Sequence, residues 1–324
     1  MDAKAGTAFG RGLRSAAPIA LAALGVFALS GCGSAALGDA TEKRADDSYG
    51  GITSLDLRNT DGETSVTGAD VDEVRVERVH TYSDKAPSEK ITDHGGTLRV
   101  DSGDCGEEWT FVGGRCTTDY TVTVPFGTKV TLRGDDGEIT VADPRAAVDI
   151  KATDGDVTLS GAAGAVKLGA ADGSLRLDGV TADSIAATTQ DGSIDITAKD
   201  RLGSLAANAE DGDVTVTTGK EVGSLKAAAK DGDVSIATEG RAGSLAADTH
   251  DGDVSVAAGG AFGALAATTK DGDITVDTPV GGGPYAVKTD TGDGPVEVDV
   301  PRKKGADATI DASTSDGAIT VRER

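Results

Sequence analysis

Hydrophobic and polar residues alternate with a period of two through most of the chain after residue 50. In one typical stretch, Leu205, Ala207 and Ala209 share one face of an extended segment, and Val214 and Val216 share one face of the next. A period of two is typical of a β-strand with one buried face, whereas a helix shows a stripe with a period of about 3.6 residues. No sustained stripe of that kind is present, so the pattern predicts an all-β protein.

The two alternating segments recur as one unit, and Asp-Gly pairs separate them. The pairs begin at Asp136, Asp154, Asp172, Asp191, Asp211, Asp231, Asp251 and Asp271, with less regular copies at Asp293 and Asp316. The regular spacings are 18, 18 and 19 residues and then 20 residues four times. Glycine tolerates positive φ and aspartate accepts hydrogen bonds from nearby amides, so each pair predicts a corner between two strands.

Two folds are compatible with such strands. Asp-Gly between alternating segments is also a hairpin signal, which makes an antiparallel meander or sandwich the alternative. The nearly constant repeat length favours a solenoid, because coils of equal perimeter let equivalent strands stack in register about 4.8 Å apart. We therefore predict a single-stranded β-helix, or β-solenoid, of about 20-residue coils with an irregular N-terminal cap. Stacking would form two aliphatic columns, one of Leu205, Leu225, Leu245 and Leu265 and one of Val214, Val234, Val254 and Ile274.

The first 31 residues have the features of a signal peptide. Three basic residues precede an apolar run over residues 16–29, which is too short to span a bilayer comfortably. The run ends in Leu-Ser-Gly-Cys at Cys32, which resembles the lipobox of bacterial lipoproteins. The resemblance implies cleavage before Cys32 and lipidation of its thiol; the alternative is an ordinary signal peptide with a chance cysteine. We expect a lipid anchor at the outer face of the cell membrane.

Four segments follow from these patterns. Residues 1–31 are the predicted signal peptide, and residues 32–50, which lack periodicity, are predicted to be the lipidated cysteine and a flexible tether. Residues 51–131 contain less regular strands and a cap with a disulfide loop, and residues 132–324 contain the solenoid repeats with irregular C-terminal coils.

The cysteines that remain after lipidation, Cys105 and Cys116, form an even pair in an oxidising compartment. We predict a disulfide between them, since a two-cysteine metal site would lack histidines nearby in the sequence. The loop that it closes contains Trp109 and Phe111, which are candidates for contact with a partner. The alternative is that both aromatic side chains form the core of the cap.

The segment TVTVPFGTKVTLRGDDGEITV, from Thr121 to Val141, and the trailing D-G-[DS]-[IV]-x-[IV] repeats resemble the putative-adhesin β-strand-repeat family of bacterial surface proteins. This family is a domain of unknown function, and the resemblance covers roughly residues 50–324. It implies a β-helix exposed at the cell surface, and it supplies no catalytic residues.

The predicted stacking would place the corner aspartates in two adjacent columns. Calcium takes roughly six to eight oxygen ligands, which paired carboxylates could partly supply, so weak Ca²⁺ binding is one hypothesis. The alternative is that these are solvated turn residues, whose repulsion is offset by amide hydrogen bonds or by Lys230, Lys270 and Arg201. The candidate residues are Asp211, Asp213, Asp231, Asp233, Asp251, Asp253, Asp271 and Asp273, with Asp154 and Asp156 at corresponding positions.

An enzymatic function is the least expected. Glycoside hydrolysis needs a pair of carboxylates that differ from their surroundings, whereas the aspartates here are evenly spread. Sugar-binding platforms also use aromatic rings, and Phe262 is the one aromatic residue between Leu132 and Thr278. The repeated serines, such as Ser204, have no histidine partner in the pattern. We predict no catalytic residues and no cofactor apart from the weak Ca²⁺ hypothesis.

The formal charge of −23 repels nucleic acid and anionic surfaces, so a nucleic-acid partner is not expected. The sequence predicts a non-enzymatic, monomeric cell-surface lipoprotein that acts as an adhesin-like interaction module or envelope scaffold. Its partner would be a surface protein or glycan, in addition to the membrane that holds the anchor. The first alternative is a cation-responsive envelope or signalling accessory protein, and the last is a polysaccharide-active β-helix enzyme.

Overall fold

The structure is a computed structural model that describes residues 40–103, 105, 115–161 and 164–324. The predicted signal peptide, Cys32, Trp109 and Phe111 lie outside the described residues. Every helix or strand assigned within those ranges is a strand, which confirms the all-β prediction. In the same ranges, no helix is long and apolar enough to cross a membrane.

The described strands form two sheets, sheet A with 14 strands and sheet B with 13. Sheet A contains β1 (Thr41–Gly50), β3 (Thr64–Ala69), β4 (Glu73–Tyr82), β7 (Cys116–Pro125), β9 (Ile139–Ala142), β11 (Val157–Ser160), β13 (Leu175–Val180), β15 (Ile194–Ala198), β17 (Val214–Thr218), β19 (Val234–Thr238), β21 (Val254–Ala258), β23 (Ile274–Thr278), β25 (Val296–Asp299) and β27 (Ile319–Glu323). Sheet B contains β2 (Ser54–Asp61), β5 (Glu89–His94), β6 (Thr97–Ser102), β8 (Lys129–Asp136), β10 (Val148–Asp154), β12 (Ala165–Gly169), β14 (Ser184–Thr189), β16 (Leu202–Ala209), β18 (Val222–Ala228), β20 (Ala242–Asp248), β22 (Phe262–Thr268), β24 (Tyr285–Asp293) and β26 (Ala308–Asp316).

Each regular coil contributes one strand to each sheet, and equivalent strands of neighbouring coils pair in parallel. In sheet B, Leu205 pairs with Leu225, Leu225 with Leu245, and Leu245 with Leu265. In sheet A, the column of Val214, Val234, Val254 and Ile274 has the same one-to-one register. The predicted β-solenoid is confirmed, and the meander alternative is wrong because hairpins would pair successive strands antiparallel.

The core is a thin aliphatic layer between the two sheets. The four leucines of the sheet B column are each at most 2% exposed, and so are the alanines two residues after them. Small alanines beside each leucine let the sheets approach closely without large aromatic side chains. Removing one leucine from such a layer costs about 2–5 kcal/mol, so each coil depends on its own few side chains.

The corner glycines have a different cause from the one predicted. From Gly155 to Gly272, none of the Asp-Gly glycines has positive φ. A Cβ added to any of them would lie closer than 3.0 Å to the carbonyl group of the corner glycine in the preceding coil. The glycines are needed because successive backbones stack directly on one another at this corner, leaving no space for a side chain. The expectation of a left-handed corner was therefore wrong for these coils, although Gly137 does have φ +113°.

At both ends of the stack, the order of coils departs from the order of the chain. The first coil, β2 and β3, lies between the coil of β6 and β7 and the coil of β8 and β9. The last coil, β26 and β27, lies between the coil of β22 and β23 and the coil of β24 and β25. Each of these two coils is thus enclosed by strands on both sides instead of forming the end of the stack.

The N-terminal cap consists of antiparallel strands. β4 pairs with β7, β1 pairs with β4, and β5 pairs with β6. β1 corrects the predicted flexible tether, because residues 41–50 form a ten-residue strand held by its ladder to β4 and by ion pairs of Arg75 with Asp46 and Arg78 with Asp47. Nearly all its side chains are exposed or half-buried on both faces, so the sequence shows no alternation there.

Cys105 and Cys116 form a disulfide with their Cα atoms 6.0 Å apart, which confirms the predicted pairing. Cys116 is the first residue of β7, the strand to which the antiparallel strand β4 pairs. The disulfide therefore links Cys105 to β7, the strand that pairs with the cap strand β4. Closing a loop of this length stabilises a protein by about 3 kcal/mol in the chain-entropy model.

Candidate functional site

The Asp-Gly corners place the predicted aspartates along one edge of the solenoid, here called the acidic edge. It consists of a first column and a second column of carboxylates, both exposed. The first column contains Asp211, Asp231, Asp251, Asp271 and Asp316, and the second contains Asp213, Asp233, Asp253 and Asp273. Backbone pairing continues along the edge as far as a parallel bridge between Asp271 and Asp316.

Each carboxylate of the second column accepts a hydrogen bond from a backbone amide one coil further along. The Oδ1 atom of Asp213 accepts from the amide of Asp233 at 2.9 Å, and Asp233 accepts from Asp253 at 2.8 Å. Asp253 accepts from the amide of Asp273, and Asp273 from that of Ala318. Charge-assisted hydrogen bonds of this kind stabilise the ionised carboxylate. The second column therefore joins successive coils, which supports the structural interpretation of these residues.

Two carboxylates of the first column are paired with the lysines that precede them. The Nζ atom of Lys230 lies 3.1 Å from Asp231, and that of Lys270 lies 3.0 Å from Asp271. Hydrogen bonds from these ammonium groups lower the pKa of both aspartates. Arg201, expected to contribute here, pairs instead with Glu221, because it lies at the opposite corner of its coil. That expectation was wrong.

Where no cation intervenes, the carboxylates affect one another. Asp154 pairs in register with Asp136, and Asp172 follows in the next coil. Partial desolvation, followed by the charges of Asp172 and Asp136, raises the pKa of Asp154. This carboxyl belongs to the same regular column as its neighbours, and its raised pKa follows from partial desolvation and from the close carboxylates of the adjacent coils.

A group able to hold a cation occurs at one position on the acidic edge. Ligand atoms of Asp231, His250 and Asp251 lie within 4.8 Å of one another, and all three side chains are exposed. The Nδ1 atom of His250 lies 2.7 Å from Oδ1 of Asp251. An imidazole with two carboxylates suits a zinc-like cation better than calcium, which prefers oxygen ligands. His250 was not among the predicted metal ligands; it stands where neighbouring coils have Lys230 and Lys270, and the sequence alone predicted a solvated corner residue.

Buried threonines beside this edge were not predicted. The hydroxyl of Thr249 donates to the carbonyl of Gly232 at 2.8 Å, and that of Thr269 donates to Gly252 at 2.8 Å. Thr189 makes the same bond to Gly173. These hydroxyls satisfy carbonyl groups of the tightly stacked corners. They occupy equivalent positions of their coils, where two other coils have Ala209 and Ala229, but only the structure shows the acceptor.

A second charged cluster lies in the cap and joins four strands. Arg78 of β4, with its side chain 11% exposed, contacts Asp47 of β1 at 2.7 Å and Glu89 of β5 at 2.8 Å. Tyr120 of β7 donates its hydroxyl to Glu89 at 2.7 Å. Burial, followed by the bond to Glu89, raises the pKa of Tyr120. The cluster fastens the antiparallel cap to the solenoid.

A family model described as Toastrack DUF4097 matches residues 52–262 and 238–322. No curated protein matches the sequence significantly.

Solved structures of similar chains have low sequence identity. A putative adhesin from Parabacteroides merdae is 11% identical, with 89% of this chain and 98% of that chain covered and a TM-score of 0.39. A putative adhesin from Bacteroides fragilis is 12% identical, with 88% and 97% covered and a TM-score of 0.37. A putative lipid binding protein from Parabacteroides distasonis is 12% identical, with 87% and 96% covered and a TM-score of 0.40. Because the family model matches well over half of the sequence, the chain belongs to the Toastrack DUF4097 family.

Proposed function

We propose that the protein is a non-enzymatic, adhesin-like interaction module displayed at the outer face of the cell membrane. The observation that carries this proposal is the outer face of sheet A. There, a column of hydroxyl side chains recurs in register on successive coils, at Thr215, Ser235, Ser255 and Thr275. A sheet face with hydrogen-bonding groups about 4.8 Å apart suits an extended ligand with a repeating backbone, such as a glycan or an extended protein segment.

Loss of the hydroxyl column tests this proposal directly. Alanine at Thr215, Ser235, Ser255 and Thr275 removes four exposed or half-buried hydroxyls without touching the core. We expect weaker binding to immobilised cell-wall glycans and matrix proteins in surface plasmon resonance. The matched control is alanine at Ser204, Ser224 and Ser244, which form the corresponding column on sheet B. Equal binding by both variants and the unaltered protein would remove the support that the sheet A face provides.

The proposed attachment is through Cys32. Eight residues, 33–40, separate Cys32 from β1 in the sequence, and a fully extended chain of that length reaches about 28 Å at most. An anchored protein would therefore hold the start of β1 within about 28 Å of the lipid surface. Stable anchoring needs two or three acyl chains, and this is the number that a lipidated N-terminal cysteine carries.

Labelling with a fatty-acid analogue in growing cells tests the anchor. The unaltered protein should take up the label and sediment with membranes, and Cys32→Ser should do neither. The double variant Cys105→Ser with Cys116→Ser is the control, since these thiols form a disulfide. Membrane sedimentation of an unlabelled Cys32→Ser protein would contradict lipid anchoring.

The group of Asp231, His250 and Asp251 favours a second candidate function, a cation-responsive envelope protein. Binding of Zn²⁺ or Ca²⁺ to the folded state would raise the melting temperature by mass action. His250→Lys reproduces the neighbouring coils and is the control, because it removes the imidazole while keeping the corner. Identical melting curves with millimolar cation and with chelator would eliminate this candidate.

A further inference from the structure

The two ends of the solenoid differ in how they are closed. At the N-terminal end, the edge strands β1 and β5 are antiparallel to their neighbours, and β1 has charged residues on both faces. At the C-terminal end, the edge strands β24 and β25 are parallel to their neighbours, as strands of the interior coils are. A regular coil at the end of a solenoid exposes core side chains and unpaired backbone groups. Among the described residues, the C-terminal end therefore lacks a cap of the kind that closes the other end.

Core columns reach the C-terminal end without being covered. In sheet B, Val287 is in register with Ile310, which is 1% exposed, but Val287 itself is half-buried. In sheet A, Val296 is 43% exposed, whereas Ile319, with which it is in register, is 0% exposed. The isoleucines are buried because strands lie on both sides of them. One further strand on each sheet would bury both valines in the same way.

Part of the backbone of β24 is also unpaired. The chain returns beside the start of this strand, where the amide of Tyr285 donates to the carbonyl of Pro301 at 2.8 Å and its carbonyl accepts from the amide of Lys303 at 2.9 Å. Each residue of a strand directs both backbone groups to one side, and successive residues alternate. The second, fourth and sixth residues after Tyr285 therefore direct theirs to this same side, where no described strand follows. We call residues 287–291 the open edge.

The charges of the open edge match those of a second copy. Its outward-facing side chains are Lys288 and Asp290, both exposed. If a second copy runs antiparallel with a two-fold axis at Thr289, Lys288 of each copy lies opposite Asp290 of the other. An axis at Lys288 or at Asp290 would place like charges opposite each other, which is destabilising. Lys288 also contacts Asp311 of its own copy at 3.2 Å, and an ammonium group has enough N–H donors for both carboxylates.

The terminal coil as a whole does not oppose this contact. Residues 284–304 contain four basic and four acidic residues, so the charge of −23 belongs to the rest of the chain. Screening limits the reach of that charge to about 8 Å at physiological ionic strength. Lys303 and Lys304 form no ion pair among the described residues and lie near the start of β24. In the antiparallel arrangement, the end of the second copy's β24, with its Asp293, approaches these lysines.

We propose that two copies of the chain associate end to end, with their open edges paired antiparallel about Thr289. About six backbone hydrogen bonds form, and each copy covers Val287 of the other. β1 and β25 are the two edge strands of sheet A, so the two copies of β1 lie at the far ends of the pair. The arrangement suits copies anchored through Cys32 on facing surfaces. This inference rests on the proposed function as an interaction module and names its partner as a second copy, where the sequence predicted a monomer.

Sedimentation velocity tests the association with the purified full-length protein carrying Cys32→Ser, in which no lipid can cause it. The range runs from about 1 μM to about 1 mM, since tethering gives millimolar effective concentrations. We expect a monomer–dimer equilibrium with no larger species. A monomer throughout this range would overturn the proposal. An open series of polymers would also overturn it, because only a head-to-tail contact continues beyond the dimer.

Exchange of the two charges tests the register. Lys288→Asp places an aspartate opposite Asp290, and Asp290→Lys places a lysine opposite Lys288, so each change should weaken dimerisation about tenfold or more. The two variants mixed in equal amounts should form a heterodimer, because every opposed pair then has opposite charges. The double variant should dimerise again for the same reason. No heterodimer from two variants that are folded by circular dichroism would overturn the proposed pairing.

Two further variants separate the edge from net charge. Lys226→Asp is the matched control, because Lys226 is exposed on the same face of sheet B in an interior coil. Equal weakening by Lys226→Asp and Lys288→Asp would contradict the proposal. Thr289→Pro removes an N–H group that points away from β26, which an edge strand tolerates. It should abolish the dimer and leave the melting temperature nearly unchanged, and a dimer that persists in this variant would contradict pairing through the backbone.

The outcomes distinguish this inference from the proposed function. The variant without the sheet A hydroxyl column keeps its open edge, so we expect it to dimerise normally. A monomeric protein that still needs the hydroxyl column to bind glycans or matrix proteins would remove this inference and leave the proposed function standing. A dimer that binds neither ligand class would remove the support from sheet A and leave self-association.

Discussion

Two kinds of buried threonine occur in the repeats, and they differ in what their hydroxyls contact. Thr249 donates to the carbonyl of Gly232, whereas the hydroxyls of Thr218 and Thr238 are buried without a hydrogen-bond partner among the described residues. Valine has nearly the shape of threonine but no hydroxyl. Leaving a buried carbonyl unpaired costs about 1–3 kcal/mol, whereas removing an unpaired hydroxyl costs nothing.

We therefore expect Thr249→Val to lower the free energy of unfolding by about 1–3 kcal/mol and Thr238→Val to leave it unchanged or raise it. Urea denaturation of both variants measures the difference. The two changes are chemically identical, so each controls for the effect of valine on strand stability. Equal losses in both variants would show that the corner hydrogen bonds contribute little.

Replacement of a corner glycine tests the close stacking of the coils. A Cβ at Gly232 would lie closer than 3.0 Å to the carbonyl of Gly212, so one of the two backbones must move. In an ordinary strand, alanine is more stabilising than glycine by roughly 0.5–1 kcal/mol. At this corner we expect the opposite sign: Gly232→Ala should lower the free energy of unfolding, by more than that amount. Calorimetry measures it, and an unchanged or higher melting temperature would show that the corner has room after all.

At the residue scale, the sequence predicted where the Asp-Gly corner residues lie but not why those amino acids are needed there. The Asp-Gly repeat located every regular corner, because its spacing is visible without coordinates. The reason for Gly232 was missed, since a turn with positive φ and a close approach between coils select the same amino acid. The partner of Arg201 was missed although the sequence contains the signal: Arg201 lies ten residues from both Asp191 and Asp211, half a repeat away from the Asp-Gly corners.

At the scale of the secondary-structure element, the cap strand β4 contains a buried titratable group. His80 is 8% exposed, and its Nδ1 atom lies 3.0 Å from the hydroxyl of Thr118 on β7. Burial lowers the pKa of His80; the charge of Glu89 opposes this shift, and those of Arg78 and Lys43 add to it. Above pH 6.5, the ordinary value, His80 is neutral in both folded and unfolded protein. As the pH falls through that value the unfolded chain takes up the proton first, so stability is lost.

We expect the free energy of unfolding to fall between pH 7.5 and 5.5 by more in the unaltered protein than in His80→Gln. The difference between the two proteins is at most about 1.4 kcal/mol for each pH unit that separates the folded-state and unfolded-state pKa of His80. Urea denaturation at both pH values gives it, and comparison with the variant removes the contribution of carboxylates. Parallel pH dependences would show that His80 is hydrated in the folded state.

The cap strands also show where pattern reasoning fails for whole elements. Regular strands such as β17 have one buried face, and their alternation predicts them. β1 has no buried face, and it exists because β4 offers a ladder and arginines that pair with Asp46 and Asp47. Such a strand depends on a neighbour distant in sequence, which a local pattern does not contain.

At the scale of the whole molecule, the matched registers make the coil a removable unit. Leu205, Leu225 and Leu245 stack in register, so removal of residues 223–242 would bring Leu245 onto Leu205 with every side chain on its original face. We expect this deletion to fold cooperatively and to shorten the solenoid by about 4.8 Å, measured by small-angle X-ray scattering.

Removal of residues 223–232 is the control for that deletion. It takes out half a coil and would place strands of sheet B in the positions of sheet A, so we expect loss of cooperative unfolding. Similar behaviour of the two deletions would contradict a register-dependent stack.

The repeat length predicted this periodic region from sequence, whereas the exchanged order of the terminal coils has no sequence signal, because β24 and β26 have the same alternation.

The enclosed position of β26 and β27 has a consequence for synthesis. A chain is made and exported from its N-terminus, and most solenoids could close each layer as it arrives. Here the outermost C-terminal layer has nothing in register beneath it until the final strand has been delivered, because that strand is the one it rests on. A nascent chain that ends before β26 therefore leaves β24 and β25 without the strands on which they pair, so two layers are missing from the stack instead of one.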